Sequence, residues 1–147
     1  MGRAASQAQV AIVTGDTKVV ARGAADAIFI NTAGIGLIEY AGAIGVRSIQ
    51  AGDVVILSGT LGDHGAAIMS RRENLGLSTP ILSDSAPLNG LVLEILKASA
   101  YIHCMRDATR GGLGAILVEI AQQAGLTIEI QEQAIPVREE VKGVCEI

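Results

Sequence analysis

The chain has 147 residues, of which 50% are hydrophobic, 18% are charged and 18 are glycines, a composition typical of a globular protein with about one domain. At this length roughly two thirds of the unfolded surface is buried on folding, so neither Cys104 nor Cys145 is needed for a disulfide or a structural metal. The net charge of -4 argues against a nucleic-acid partner, no apolar run is long enough to span a membrane, and the first residues do not form a secretory signal, so we expect a cytoplasmic protein.

The first fifty residues contain short β-branched stretches separated by glycines, which predict strands and no helix. We expect these strands at residues 10–13, 18–21 and 27–32. The pattern changes near Ala51, which predicts a domain boundary that divides the chain into residues 1–50 and 51–147.

The next stretch follows a strand-then-helix pattern. Residues 54–57 predict a strand, and the glycine-rich turn at 58–65 opens a helix that ends near Arg72. A second helix is predicted to start at Asp84 or Ser85, with Pro87 in its first turn. Its buried face is predicted from five apolar residues at helical spacing: Leu88, Leu91, Val92, Ile95 and Leu96.

Residues 101–105 predict a further buried strand, followed by a polar turn and a third helix that ends at Gly125. The apolar stripe of this helix is Leu113, Ile116, Leu117, Ile120 and Ala124. Residues 127–131 alternate as a strand, Pro136 breaks it, and residues 139–147 carry no closing signal. The alternation of strands and helices predicts an α+β fold with α/β layers.

Three glycine-bearing turns carry polar side chains, and the first of them lies between two predicted strands. Asp16, Thr17 and Lys18 follow Gly15 there, and they supply a carboxylate, a hydroxyl and an ammonium. A carboxylate is a ligand for Mg²⁺ and a lysine neutralises phosphate, so this turn is suited to a magnesium nucleotide. A plain β-hairpin turn explains the same residues.

The second turn, residues 58–65, contains three glycines and His64 directly before a predicted helix. Backbone amides at the start of a helix bind anions, and a histidine transfers protons near neutral pH. Alternatively, the glycines permit a tight turn while His64 caps the helix or packs.

The third turn contains Arg106, Asp107, Arg110, Gly111 and Gly112. Guanidinium groups hold phosphates, a carboxylate holds a metal, and glycines leave the helix amides accessible. The alternative is a capped helix start whose arginines pair with carboxylates. Together the three turns indicate a phosphoryl-binding cleft or, equally, three structural turns.

Two other residues receive structural interpretations. His103 alternates with apolar neighbours, which favours a satisfied core or dimer residue over a ligand. Cys145 beside Glu146 is a weak candidate for a nucleophile with its base, because no histidine is placed near it in the sequence.

At these same turns the sequence resembles the HypE family of hydrogenase expression/formation proteins, in the superfamily of aminoimidazole ribonucleotide (AIR) synthetase. The matching stretches include IVTGDTKVV at 12–20, GDVVILSGTLGDHGAAI at 52–68 and RDATRGGLGAILVEIA at 106–121. The resemblance implies a PurM-like fold, with the end of an amino-terminal β-barrel-forming, ATP-binding domain followed by part of a carboxy-terminal α/β domain.

The resemblance also implies a function. ATP with Mg²⁺ binds between the domains of a homodimer and drives the dehydration of a carbamoyl group on a carboxy-terminal cysteine. The resulting thiocyanate becomes the cyanide ligand of the NiFe centre in hydrogenase. The carbamoyltransferase HypF supplies the carbamoyl group, and HypC with HypD receives the cyanide.

The resemblance assigns roles to residues of this chain. Lys18 becomes a catalytic residue near the phosphates or the thiocarboxamide, and Asp16 and Asp107 become metal ligands. His64 of the second turn is kept beside Lys18 as a candidate catalytic residue. The implied ATP-binding residues are Asp16, Thr17, Lys18, Asp107, Arg110, Gly111 and Gly112.

The chain departs from the family pattern in that Ala108 replaces the usual proline and the terminal cysteine is absent. We therefore expect an internal piece of such a protein that does not turn over by itself. Two other hypotheses stay open: another ATP-dependent enzyme of the superfamily, such as a kinase of a small phosphate ester, and a non-catalytic module that dimerises through residues 10–13 and 28–32.

Overall fold

The computed structural model describes residues 1–76 and 80–147. The α-helices of this part of the chain are α1 (Gly2–Gln7), α2 (Asp63–Arg72), α3 (Asn89–Ala98), α4 (Gly112–Ala124) and α5 (Glu139–Cys145). Short 3₁₀ turns occur at Val46–Ser48 and Glu132–Ala134. The chain forms two spatial units: the first contains Met1–Ala41 and Pro87–Ala98, and the second contains Gly42–Ala86 and Ser99–Ile147. The sequence-based boundary near Ala51 stays a prediction.

Helices α2 and α4 confirm the sequence predictions. α2 begins within the glycine-rich turn and ends at Arg72, and α4 ends immediately before Gly125. Gly125 has φ 67°, a left-handed conformation that suits glycine, and the Leu126 N–H donates to the Ala121 carbonyl at 3.1 Å. The predicted stripe of α4 includes its two buried residues, Ile116 and Leu117.

Helix α3 starts later than predicted, at Asn89 rather than at Asp84 or Ser85. The Ser85 N–H donates to the Ser83 hydroxyl at 3.1 Å, and such a local hydrogen bond competes with helix formation. Pro87 also disfavours the helical conformation of the residue before it. The expected early start was therefore wrong.

Two helices were not predicted. α1 has no buried residue, so the sequence contains no apolar face from which this helix could be predicted. α5 carries Glu139 and Glu140 in its first turn and Lys142 near its end, charges that complement the helix dipole and could have indicated it. The side chain of Val141 anchors α5, since this residue is only 1% exposed.

The predicted strands do not form a sheet among the described residues. This applies to residues 10–13, 18–21, 27–32, 54–57, 101–105 and 127–131, none of which is assigned as strand. A strand obtains its backbone hydrogen bonds from a neighbouring strand, and no such ladder pairs these segments in the part described. The apolar side chains stay accessible as a result; Val54 is 80% exposed and Ile56 is 83% exposed.

The packed core lies in the second unit. A buried cluster contains Ala66 and Ala67 of α2, Val141 of α5, and Ile81 from the segment between α2 and α3. Val137 and Val144 pack against it. The first unit has no buried residue, so the tightly held geometry of the molecule is found around α2 and α5.

Within the described residues, no helix has both the length and the apolar character required to cross a membrane.

Candidate functional site

The first polar turn lies in the first unit and is open to solvent. The Thr17 N–H donates to the Asp16 carboxylate at 2.8 Å, which orients this carboxylate on its own backbone. Asp16, Thr17 and Lys18 are all exposed. The Asp16 carboxylate is therefore accessible to a cation, and the Lys18 ammonium is accessible to an anion that the cation accompanies.

The second polar turn is built around a buried carboxylate that was not among the predicted site residues. Asp63 is fully buried, and it accepts hydrogen bonds from the Thr60 hydroxyl and the Arg138 guanidinium. The Thr60 hydroxyl, followed by Arg138, holds the pKa of Asp63 below its ordinary value, although burial acts in the opposite direction. Asp63 is thus an ionised residue with its partners inside the protein.

His64 follows Asp63 and has a different hydrogen-bond partner. Its Nδ1 lies 2.9 Å from the Ser83 hydroxyl, which also accepts the Ser85 N–H at 3.1 Å. His64 and Ser83 are both exposed. A histidine hydrogen-bonded to a serine hydroxyl at this distance is a geometry suited to proton transfer.

The third polar turn is held more loosely. Gly111 and Gly112 have φ 79° and 63°, and a Cβ on Gly111 would lie 2.5 Å from the Ala115 Cβ, so glycine is required there. Arg106 lies 3.5 Å from both the Asp107 and the Glu119 carboxylates, which matches the predicted alternative of arginines paired with carboxylates. No side chain of the described residues caps α4, so the capping part of that alternative is not seen.

The second turn and the first turn of α4 border one apolar groove of about 290 Å³ in the second unit. Leu61 and Gly62 line it from one side, and Leu113 and Gly114 line it from the start of α4. The remaining lining residues are Ile130, Ile135, Val137, Val141 and Cys145. The groove thus joins the second turn to the start of α4, and none of the polar side chains predicted for the site lines it.

The two remaining sequence candidates have structural surroundings. His103 Nδ1 lies 2.7 Å from the Asp53 carboxylate, whose same oxygen accepts the Gln50 N–H at 2.8 Å. The Gln50 N–H, and after it His103, lower the pKa of Asp53. His103 is thus paired with a carboxylate at Nδ1 but is only partly buried, so the predicted core or dimer position stays a prediction, and Cys145 is an exposed free thiol.

Residues 50–146 match the family model of the AIR synthase related protein, C-terminal domain. The chain belongs to the AIR synthase-related family. Carbamoyl dehydratase HypE from Bradyrhizobium diazoefficiens is 52% identical over 148 residues, which cover 100% of this chain and 43% of that protein. The chain therefore spans less than half the length of this relative.

Solved structures show the same similarity. HypE in a crystal structure of a HypE–HypF complex has a TM-score of 0.94 and 49% identity, and the match covers 99% of this chain and 48% of that one. A hydrogenase maturation protein HypE in complex with ATP has a TM-score of 0.83 and 40% identity, over 99% of this chain and 44% of that one. The implied PurM-like fold is confirmed, although the predicted strands are not paired within the described residues.

Proposed function

We propose that the protein containing this chain is a HypE-type carbamoyl dehydratase, a cytoplasmic enzyme of hydrogenase maturation that uses ATP. The observation that carries the proposal is the 52% identity to a carbamoyl dehydratase HypE across all of this chain. The exposed Asp16 and Lys18 agree with it, because a nucleotide-binding turn must be accessible.

The nucleotide is bound as Mg-ATP in this proposal, and the available donors fit that form. Among the described residues no three histidine, cysteine, aspartate or glutamate side chains cluster into a metal site. Mg²⁺ commonly needs only one or two carboxylates, since phosphates and waters complete its shell. Asp16 and Asp107 are the proposed ligands, and the bound ion supplies charge that neutralises the phosphates.

Other residues then contact ATP. Lys18 is the proposed catalytic cation beside the phosphates, with Thr17 as its neighbour in the first turn. The third turn contributes Arg110 and the backbone of Gly111 and Gly112. Positive groups at these positions stabilise the charge of the phosphoryl group during transfer.

In the proposed reaction, the oxygen of the carbamoyl group leaves with the γ-phosphate of ATP. The thiocarboxamide oxygen bonds to the γ-phosphorus and ADP leaves. The C–O bond then breaks, the oxygen departs with inorganic phosphate, and the nitrogen gives up two protons as the thiocyanate forms. One of these protons ends on phosphate and the other is released, so a base such as His64 has a defined task.

Two of the proposed partners, HypF and ATP, occur in solved structures of relatives. A HypE has been crystallised with HypF, and another HypE with ATP. We propose that HypF supplies the carbamoyl group here, that the HypC–HypD complex receives the cyanide, and that the protein is a homodimer.

The test is the Asp16→Asn variant of the full-length protein, assayed for ATP hydrolysis that depends on the carbamoylated cysteine. We expect a loss of roughly 100-fold or more, because the variant loses one proposed carboxylate ligand of the Mg²⁺ that neutralises the reacting phosphate. Asp26→Asn is the matched control, since Asp26 is also an exposed aspartate of the first unit. Full activity of Asp16→Asn would contradict the proposed role.

Another ATP-dependent enzyme of the superfamily, such as a kinase of a small phosphate ester, is the second candidate, since the family match spans residues 50–146 without naming a substrate. ATP consumption with thiamine monophosphate but not with the carbamoyl donor would favour it. If the protein consumes ATP with neither substrate, and light scattering shows that this chain is a dimer, a non-catalytic dimerisation module is favoured instead.

A further inference from the structure

The turn that carries His64 is fixed by the segment leading into α5. The Leu61 N–H donates to the Pro136 carbonyl at 2.9 Å. Gly62 lies against Val141, where an added Cβ would be 2.9 Å from Cγ1. Arg138 binds the buried Asp63. Three successive residues before His64 are thus held by one stretch of chain.

Arg138 also holds the residue that precedes Ser83. Its Nη2 donates to the Leu82 carbonyl at 3.2 Å, while Nε and Nη2 contact the Asp63 carboxylate. One guanidinium therefore connects the residue before His64 to the residue before Ser83. The planar fork of arginine makes this double contact possible, whereas lysine offers a single point of charge.

The resulting His64–Ser83 hydrogen bond is compatible with both protonation states of His64. The Ser83 oxygen uses one lone pair for the Ser85 N–H, which leaves one lone pair and the hydroxyl proton. Neutral His64 in the Nδ1–H tautomer donates to the remaining lone pair and keeps Nε2 free to take up a proton, and charged His64 donates from Nδ1 in the same way. The pair can therefore persist while a proton enters or leaves the ring.

A contribution to stability does not by itself explain the Asp63–Arg138 ion pair. Replacing a buried ion pair with apolar residues is often neutral or stabilising, so such a pair is weak evidence for a stabilising role. What the Asp63–Arg138 pair supplies is a fixed relation between two exposed groups, His64 and Ser83, that are 19 residues apart in the sequence.

We propose that Arg138, acting through Asp63 and the Leu82 carbonyl, is a positioning residue that holds His64 on Ser83 for proton transfer in the ATP-dependent reaction. This inference rests on the proposed function, because it assumes that His64 takes up a proton released there. Asp63 and Ser83 are positioning residues in the same sense.

The test compares Arg138→Lys and Ser83→Ala with the unchanged full-length protein, using two measurements. Ring ¹⁵N chemical shifts report the tautomer of His64, and steady-state kinetics separate kcat from the KM for ATP. For both variants we expect the two nitrogen shifts of His64 to move toward each other. We also expect kcat to fall by roughly 10- to 100-fold, a loss typical of a misplaced reacting group, with KM for ATP within about twofold.

Arg71→Lys is the matched control, because Arg71 is an exposed arginine of α2, and it should change neither measurement. Unchanged nitrogen shifts in both variants would overturn the inference, as would altered shifts with unchanged kcat. If Arg138→Lys fails to fold, Ser83→Ala decides alone, because Ser83 is exposed and lies outside the buried pair. If the unchanged protein consumes no ATP with the carbamoyl donor, the proposed function fails, while the nitrogen shifts still test the positioning of His64.

Discussion

The turns at residues 58–65 and 106–112 share a sequence pattern, with glycines and an aspartate before a helix, yet the structure holds them differently. In the first, the carboxylate of Asp63 is buried and bound by Arg138 from a distant segment. In the second, Asp107 is exposed, and its guanidinium neighbour, Arg106, lies 3.5 Å away. The same pattern therefore produces one internal carboxylate and one accessible carboxylate.

The difference decides what each aspartate can do. Asp63 has its hydrogen-bond partners within the protein, so binding a ligand would require separating this buried carboxylate from Thr60 and the partly exposed Arg138. Asp107 is in contact with solvent, where an ion pair contributes little and partners exchange readily. The third turn is the better candidate for a ligand, and the second turn is better suited to fixing geometry.

The largest expected effect comes from breaking the buried pair. Arg138→Met should lower the free energy of unfolding by about 3 kcal/mol, because it leaves the Asp63 charge buried without its partner. This is the low end of the usual range, since the Arg138 side chain is 42% exposed. Arg106→Met at the exposed turn should cost less than about 1 kcal/mol. Urea denaturation measures both, and equal losses would remove the distinction between the turns.

A smaller effect is expected from the glycines that shape the two turns. Gly112→Ala should cost about 1 kcal/mol, because its φ of 63° strains any residue with a Cβ but the added methyl meets no atom within 4 Å. Gly62→Ala should cost about 2 kcal/mol, because its Cβ also comes within 2.9 Å of Val141. Thermal unfolding of both variants measures the difference. A larger loss for Gly112→Ala would contradict the packing argument.

The smallest effect concerns acid stability. The folded-state pKa of Asp63 lies below the ordinary value of 3.8, so its stabilising contribution is present above that value and is lost as the pH falls through the folded pKa. Asp63→Asn should therefore flatten the decline of stability below about pH 4. Asp53→Asn should flatten it less, because Asp53 is more exposed and its pKa is lowered chiefly by one backbone N–H. Unfolding curves between pH 2 and 6 test this order.

Local signals in the sequence predicted much of the helical structure. Gly59, Gly62 and Gly65 indicated the start of α2, and Gly125 indicated the end of α4. The effect of glycine on the backbone acts within a few residues, so the sequence alone reveals it. The position of His64 at a helix start was likewise correctly expected. The start of α3 was missed because the Ser83 hydroxyl accepts the Ser85 N–H, a local hydrogen bond that competes with the helix there.

Long-range contacts account for what the sequence did not predict. Asp63 looked like an ordinary turn residue, because its partner Arg138 is 75 positions away and no spacing rule connects them. The apolar segments read as strands because alternation and β-branching report preference, whereas a strand also requires a neighbour to pair with. The proposed roles of Lys18, Asp107 and Arg110 stay predictions.

The separation of Asp63 from Arg138 has a consequence for synthesis on the ribosome. The buried pair cannot form until Arg138 has been translated, 75 residues after Asp63. At about 5–20 residues per second, this interval lasts roughly 4–15 s. During that time α2 can begin to coil while its first carboxylate is still hydrated, so the turn before His64 acquires its final shape only late in translation.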